Sequence, residues 1–101
     1  MTTTVTTAPG GRKITAAVDA GTTTAAIFVG AQTAVAAIPG GGGTMLVEAS
    51  FSTVAAVEGG TANWLSWDAG TVSSKTAQLL LNATAVRFTA TTAAGVGEIS
   101  L

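Results

Sequence analysis

The stretch Ala85-Val86-Arg87-Phe88-Thr89-Ala90-Thr91-Thr92-Ala93-Ala94-Gly95-Val96-Gly97-Glu98-Ile99-Ser100-Leu101 decides the fold. Val86, Phe88 and Ala90 alternate with Arg87, Thr89 and Thr91, the two-residue period of a half-buried strand. After the Ala93-Ala94-Gly95 break the alternation resumes, with Gly97, Ile99 and Leu101 on one face. An antiparallel hairpin is expected, with Val86 opposite Ile99, Arg87 opposite Glu98, and Phe88 over Gly97. That register joins an apolar pair, an opposite-charge pair, and an aromatic ring above a glycine with no side chain to pack. A slip of one residue would turn every apolar side chain to the wrong face. On this reading the last residue belongs to the core.

At 101 residues the chain is read as one domain with a modest core. Hydrophobic residues make up 48%, much of it alanine, and aromatics only 5%. Charged residues are 9%, against about 25% in an ordinary domain. A surface so poor in charge resists association badly, so much of it is expected to be covered in a homo-oligomer or larger assembly. A net charge of −1 offers no electrostatic basis for binding nucleic acid or an anionic membrane surface. With no cysteine there is no disulfide framework and no thiolate site, and the redox compartment stays open. Met1-Thr2-Thr3-Thr4 lacks the basic and apolar regions of a signal peptide. The charge-free run from Ala20 to Val47 contains Gly21, Gly30, Pro39 and four consecutive glycines, so it reads as buried β structure rather than a membrane span.

From the N-terminus, residues 1–11 form a Thr-rich, uncharged arm, either a flexible tail or an extended segment that orders against a neighbouring subunit. Residues 12–101 form a single domain. Ile14, Ala16 and Val18 mark a first strand, and Asp19-Ala20-Gly21-Thr22 a turn. Thr23 to Val29 reads as the next strand. Gln32 to Ile38 is a third, with one or two helical turns as the alternative. Pro39 to Gly43 breaks the pattern. Thr44 to Ser52 then places Met45, Val47, Ala49 and Phe51 on one face, and Val54 to Val57 is expected to continue extended. Asn63 to Asp68 is a strand, and Asp68-Ala69-Gly70-Thr71 repeats the earlier turn chemistry. Lys75 to Leu81 should direct Ala77, Leu79 and Leu81 inward, with Asn82-Ala83-Thr84 turning into the closing pair. The fold class is therefore all-β: an antiparallel β-sandwich or small β-barrel of about eight short strands with an extended N-terminal arm.

Catalytic chemistry finds little to stand on. Histidine, cysteine and tyrosine are absent, which removes the commonest general bases, thiol nucleophiles and soft metal ligands. Asp19 and Asp68 are turn residues, and Glu98 is assigned to Arg87. Gly40 to Gly43 has no lysine and precedes a strand, so it fails as a phosphate loop. A non-enzymatic protein without cofactor or metal is expected.

The two tryptophans are the strongest anchors available. Three positions apart in a strand, Trp64 and Trp67 face opposite sides. Leu65 accompanies Trp67, which reads as core, while Ser66 and Asp68 accompany Trp64. Trp64 is then either covered by curling of the sheets or an intersubunit anchor. Phe28, Leu46, Leu80 and Val96 are likewise surplus to one inner face, and Val5, beside Thr4, is the apolar residue of the arm. Trp64, Phe28, Leu46, Leu80 and Val5 are the interface candidates.

An Ala-, Thr- and Gly-rich β chain with a Thr-rich arm and a closing VRFTATTAAGVGEISL resembles the small virion proteins of tailed bacteriophages, among them capsid decoration (cement) proteins. The resemblance is one of style across most of the chain and carries over no individual residue. It implies an oligomeric β module on the capsid surface, with copies of itself and the major capsid protein as partners. A carbohydrate- or ligand-binding β-sandwich module is the alternative.

Overall fold

The computed structural model describes residues 2–8, 11–30, 33–80 and 83–100. Met1, Pro9 and Gly10 of the arm, the start of the third strand at Gln32, and the placements of Leu81, Asn82 and Leu101 lie outside them. Ten strands are described: β1 (Thr2–Ala8), β2 (Gly11–Val18), β3 (Thr22–Thr23), β4 (Ile27–Phe28), β5 (Thr33–Ile38), β6 (Met45–Ser50), β7 (Leu65–Ser66), β8 (Thr76–Leu80), β9 (Ala85–Ala90) and β10 (Gly95–Ser100). One short helix, α1 (Val54–Gly59), lies between β6 and β7. The strands form two antiparallel sheets, ordered β1-β2-β10-β5-β8 and β3-β9-β6-β7, with β4 also pairing with β9. The all-β sandwich follows directly from this arrangement.

The deciding stretch is not a hairpin. Its first arm, β9, pairs with β6, β3 and β4, whereas its second, β10, pairs with β2 and β5 in the other sheet. Residues 91–94 therefore cross between the layers as an arch. Val86 lies beside Ala49 and Ile27 rather than Ile99, and Arg87 lies beside Glu48 rather than Glu98. Glu98 instead meets Lys13, 3.2 Å away. The Phe88–Gly97 contact survives in a different form: the ring, fully buried, sits over Gly97 from the opposite sheet.

Most connections cross the sandwich in the same way. The Asp19–Thr22 turn leads from β2 to β3 in the second sheet, closed by Thr22 N–H donating to Asp19 O at 3.2 Å. Pro39 to Gly43 leads from β5 to β6. There Gly43 packs so closely on Ala93 that a Cβ would stand 2.8 Å from that residue's Cβ, so the glycines admit the neighbouring arch. Between these layers lie Ile14, Ala16, Val18, Val35, Ala37, Met45, Val47, Trp67, Val86, Phe88, Ala90 and Ile99.

Several local expectations change. Thr23 to Val29 is two short strands, because the register against β9 shifts by one residue between Thr23 and Ile27. Such a shift is a bulge. Thr24 bridges it, its N–H donating to Phe88 O at 2.8 Å and its Oγ1 accepting from Phe88 N–H at 3.0 Å. Residues 33–38 keep the strand reading, and the helical alternative falls. Residues 54–57 are helical, not extended: Thr53 caps the first turn by accepting from Ala56 N–H at 3.1 Å, and left-handed Gly60 ends it. β6 stops at Ser50, leaving Phe51 exposed rather than inward. β8 is reversed: Thr76, Gln78 and Leu80 pair with Ala37, Val35 and Thr33, which are buried, so Ala77 and Leu79 face outward. The arm residues 2–8 pair along their whole length with β2 of the same chain, Val5 opposite Ile14.

Candidate functional site

On the outer side of the second sheet, the β6–β9 pairing sets Glu48 opposite Arg87. Arg87 Nε donates to Glu48 Oε1 at 2.9 Å, and its guanidinium carbon lies 4.3 Å from the centre of the Trp64 ring. Trp64 is thus half-buried beneath an arginine of its own chain, and the ladder Trp64–Arg87–Glu48 accounts for an indole on a polar face. Because the cluster is partly exposed, Trp64→Ala and Arg87→Ala should each cost about 1 kcal/mol. The double variant should lose about 0.5–1 kcal/mol less than the two losses added together, since the contact is lost only once. Denaturant melts of the four proteins check this; strict additivity would show that the stack stores no energy.

Of the other interface candidates, Phe28 and Leu46 stand opposite Ala85 and Thr89 of β9, on the same outer face as Arg87. Phe28 is 40% exposed and borders a shallow cleft with Val54. Leu46 and Leu80 are partly buried and pack against the core. Val5 lies on β1 at the edge of the first sheet. Leu80 and Val5 belong to the first sheet, apart from Trp64, Phe28 and Leu46.

A different group is brought together. Where β7 ends one sheet and β8 ends the other, the sandwich is open, and a cleft of about 520 Å³ runs between the two edges. Trp67 lines it from the core side, and its rim carries Phe51, Leu65 and Leu79 at 57%, 58% and 59% exposure. Leu65 pairs with Ala49, which is buried, so it does face inward with Trp67; it stays exposed because it lines the open cleft. Ser66, Asp68 and Gln78 supply the polar lining. Sequence reading missed this group. One signal was present: in Leu79-Leu80-Leu81 the strand period cannot turn every leucine inward.

Among the described residues, no three carboxylates come together in a way that would hold a metal ion, and no helix is long and apolar enough to cross a membrane. No protein-family model matches the chain, and neither a curated protein nor a solved structure shows significant similarity to it.

Proposed function

We propose that the chain is a non-enzymatic structural protein of a tailed-phage virion: a capsid decoration protein that oligomerises and stabilises the shell by binding between major capsid subunits. The observation that carries this reading is the grouping of Phe51, Leu65 and Leu79, each more than half exposed, along one open side of a domain with 9% charged residues. Contiguous apolar surface of this kind marks a place where another protein sits. The likeness in composition and layout to small phage virion proteins supplies the particle. Mass spectrometry of purified particles is expected to find the protein at a copy number in fixed ratio to the major capsid protein. Its absence from washed particles would overturn the reading.

A ligand-binding module is the second reading, favoured by the cleft itself. About 520 Å³ is within the range of small-ligand sites, and the exposed ring of Phe51 stands with Ser66, Asp68 and Gln78 along its lining. Saturable binding on a glycan array, abolished by Asp68→Ala, would establish it.

A further inference from the structure

The two sheets treat their edges differently. In the second sheet β7 is two residues long, and at the far edge β3 and β4 are two residues each, separated by a bulge. Short and interrupted edges are how a sheet avoids pairing with another chain. The first sheet ends in β1, seven residues, and β8, five residues. Thr76-Ala77-Gln78-Leu79-Leu80 contains no charge, no proline and no glycine, and β5 pairs with one side of it only. Beside that free row of backbone donors and acceptors stand Phe51, Leu65 and Leu79. An edge of this kind accepts only another extended strand, and the apolar rim selects one with apolar neighbours of its own.

We infer that the occupant is a second copy of this chain, its β8 pairing antiparallel with β8 about a two-fold axis at Gln78. This rests on reading the open side as a protein interface rather than a ligand cleft. The axis at Gln78 overlaps all five residues, setting Thr76 opposite Leu80 of the second copy and Ala77 opposite Leu79. The strand is its own complement: it brings no like charges together, and the two Lys75 side chains fall at opposite ends of the ribbon. Leu79 of each copy lies diagonal to the other at roughly 7–8 Å, within reach of leucine side chains on the outer face. Antiparallel pairing is the more stable ladder, and a two-fold closes the assembly without leaving another β8 edge. The first sheets then run on from one copy to the next, and the two apolar rims meet.

The test uses the full chain. Sedimentation equilibrium should show a dimer or a larger assembly with an even number of copies. Leu79→Lys, at an exposed position, should weaken the association about tenfold or more while leaving the thermal melt in place. The chain has no cysteine, so Gln78→Cys introduces a single thiol directly opposite its counterpart. Strand-pair spacing is compatible with a disulfide, and mild oxidation should link the copies. Thr61→Cys, exposed near the helix, should not link them. A parent that stays monomeric, or a dimer indifferent to Leu79→Lys, would overturn the inference. A dimer lost on deletion of residues 1–10 but kept in Leu79→Lys would assign the contact to the arm instead. The two proposals fail separately: a parent found on particles at full copy number but monomeric in solution leaves the virion reading standing and removes the edge pairing. A β8-linked dimer that is absent from particles does the reverse.

Discussion

Phe88→Ala is expected to lower the unfolding free energy by about 3–5 kcal/mol, as a shift of the denaturant midpoint at unchanged slope. The side chain is completely buried and spans the space between the sheets, which in a sandwich stand about 10 Å apart. Directly across from it is Gly97, where an added Cβ would come within 2.5 Å of ring Cδ1 and 2.6 Å of Cδ2. Phenylalanine and glycine thus divide one layer of core between them, and removing the ring leaves a void that neither backbone can close. The converse change also carries a cost. Gly97→Ala pushes a methyl into the ring and should destabilise by about 1–3 kcal/mol. Combining Gly97→Ala with Phe88→Leu should recover part of the separate losses, because the leucine makes room for the methyl and the methyl fills part of the space the ring leaves. Strictly additive losses would show that the two positions do not share a layer.

That same pair explains which parts of the fold were legible. The alternation in 85–101 identified two strands, their inward faces, and the contact of Phe88 with Gly97. It did not identify the partner strands. In a hairpin the arms lie side by side with apolar faces turned the same way, and in an arch they lie face to face with those faces turned toward each other. Period-two patterning is identical in the two cases. The charges did not discriminate either: Arg87–Glu98 and Arg87–Glu48 are equally good pairs on paper, and only the second exists. Leu79 was misplaced for a related reason. An edge strand is half wrapped, so its outward leucine meets no penalty large enough to leave a mark in the pattern. Residues 54–57 turned helical because the local cap at Thr53 outweighs the β preference of Val54 and Val57. The cleft was the least legible feature, since it depends on which strands end each sheet, and that is decided by the crossings between layers.

Trp67→Ala should also cost about 3–5 kcal/mol, and here the loss divides into parts that separate variants can measure. The indole is 4% exposed and packs in the core cluster. Its Nε1–H donates to Gly70 O at 2.6 Å, and Gly70 N–H returns to Trp67 O at 3.0 Å, so the ring and the following turn hold each other. The backbone N–H of Trp67 donates to Val47 O at 2.9 Å, tying this segment to β6. Truncation to alanine therefore removes apolar burial, leaves the Gly70 carbonyl short of a donor, and opens the core to the cleft. Trp67→Phe keeps most of the burial and loses the donor, and should cost about 1–2 kcal/mol. Fluorescence offers an independent check, because Trp64 and Trp67 are the two tryptophans of the chain. In Trp64→Phe the remaining emission should be blue-shifted and poorly quenched by acrylamide, as a core indole requires. Emission from Trp67 at the wavelength of free tryptophan would place it outside the core, and the expected stability loss would fall with it.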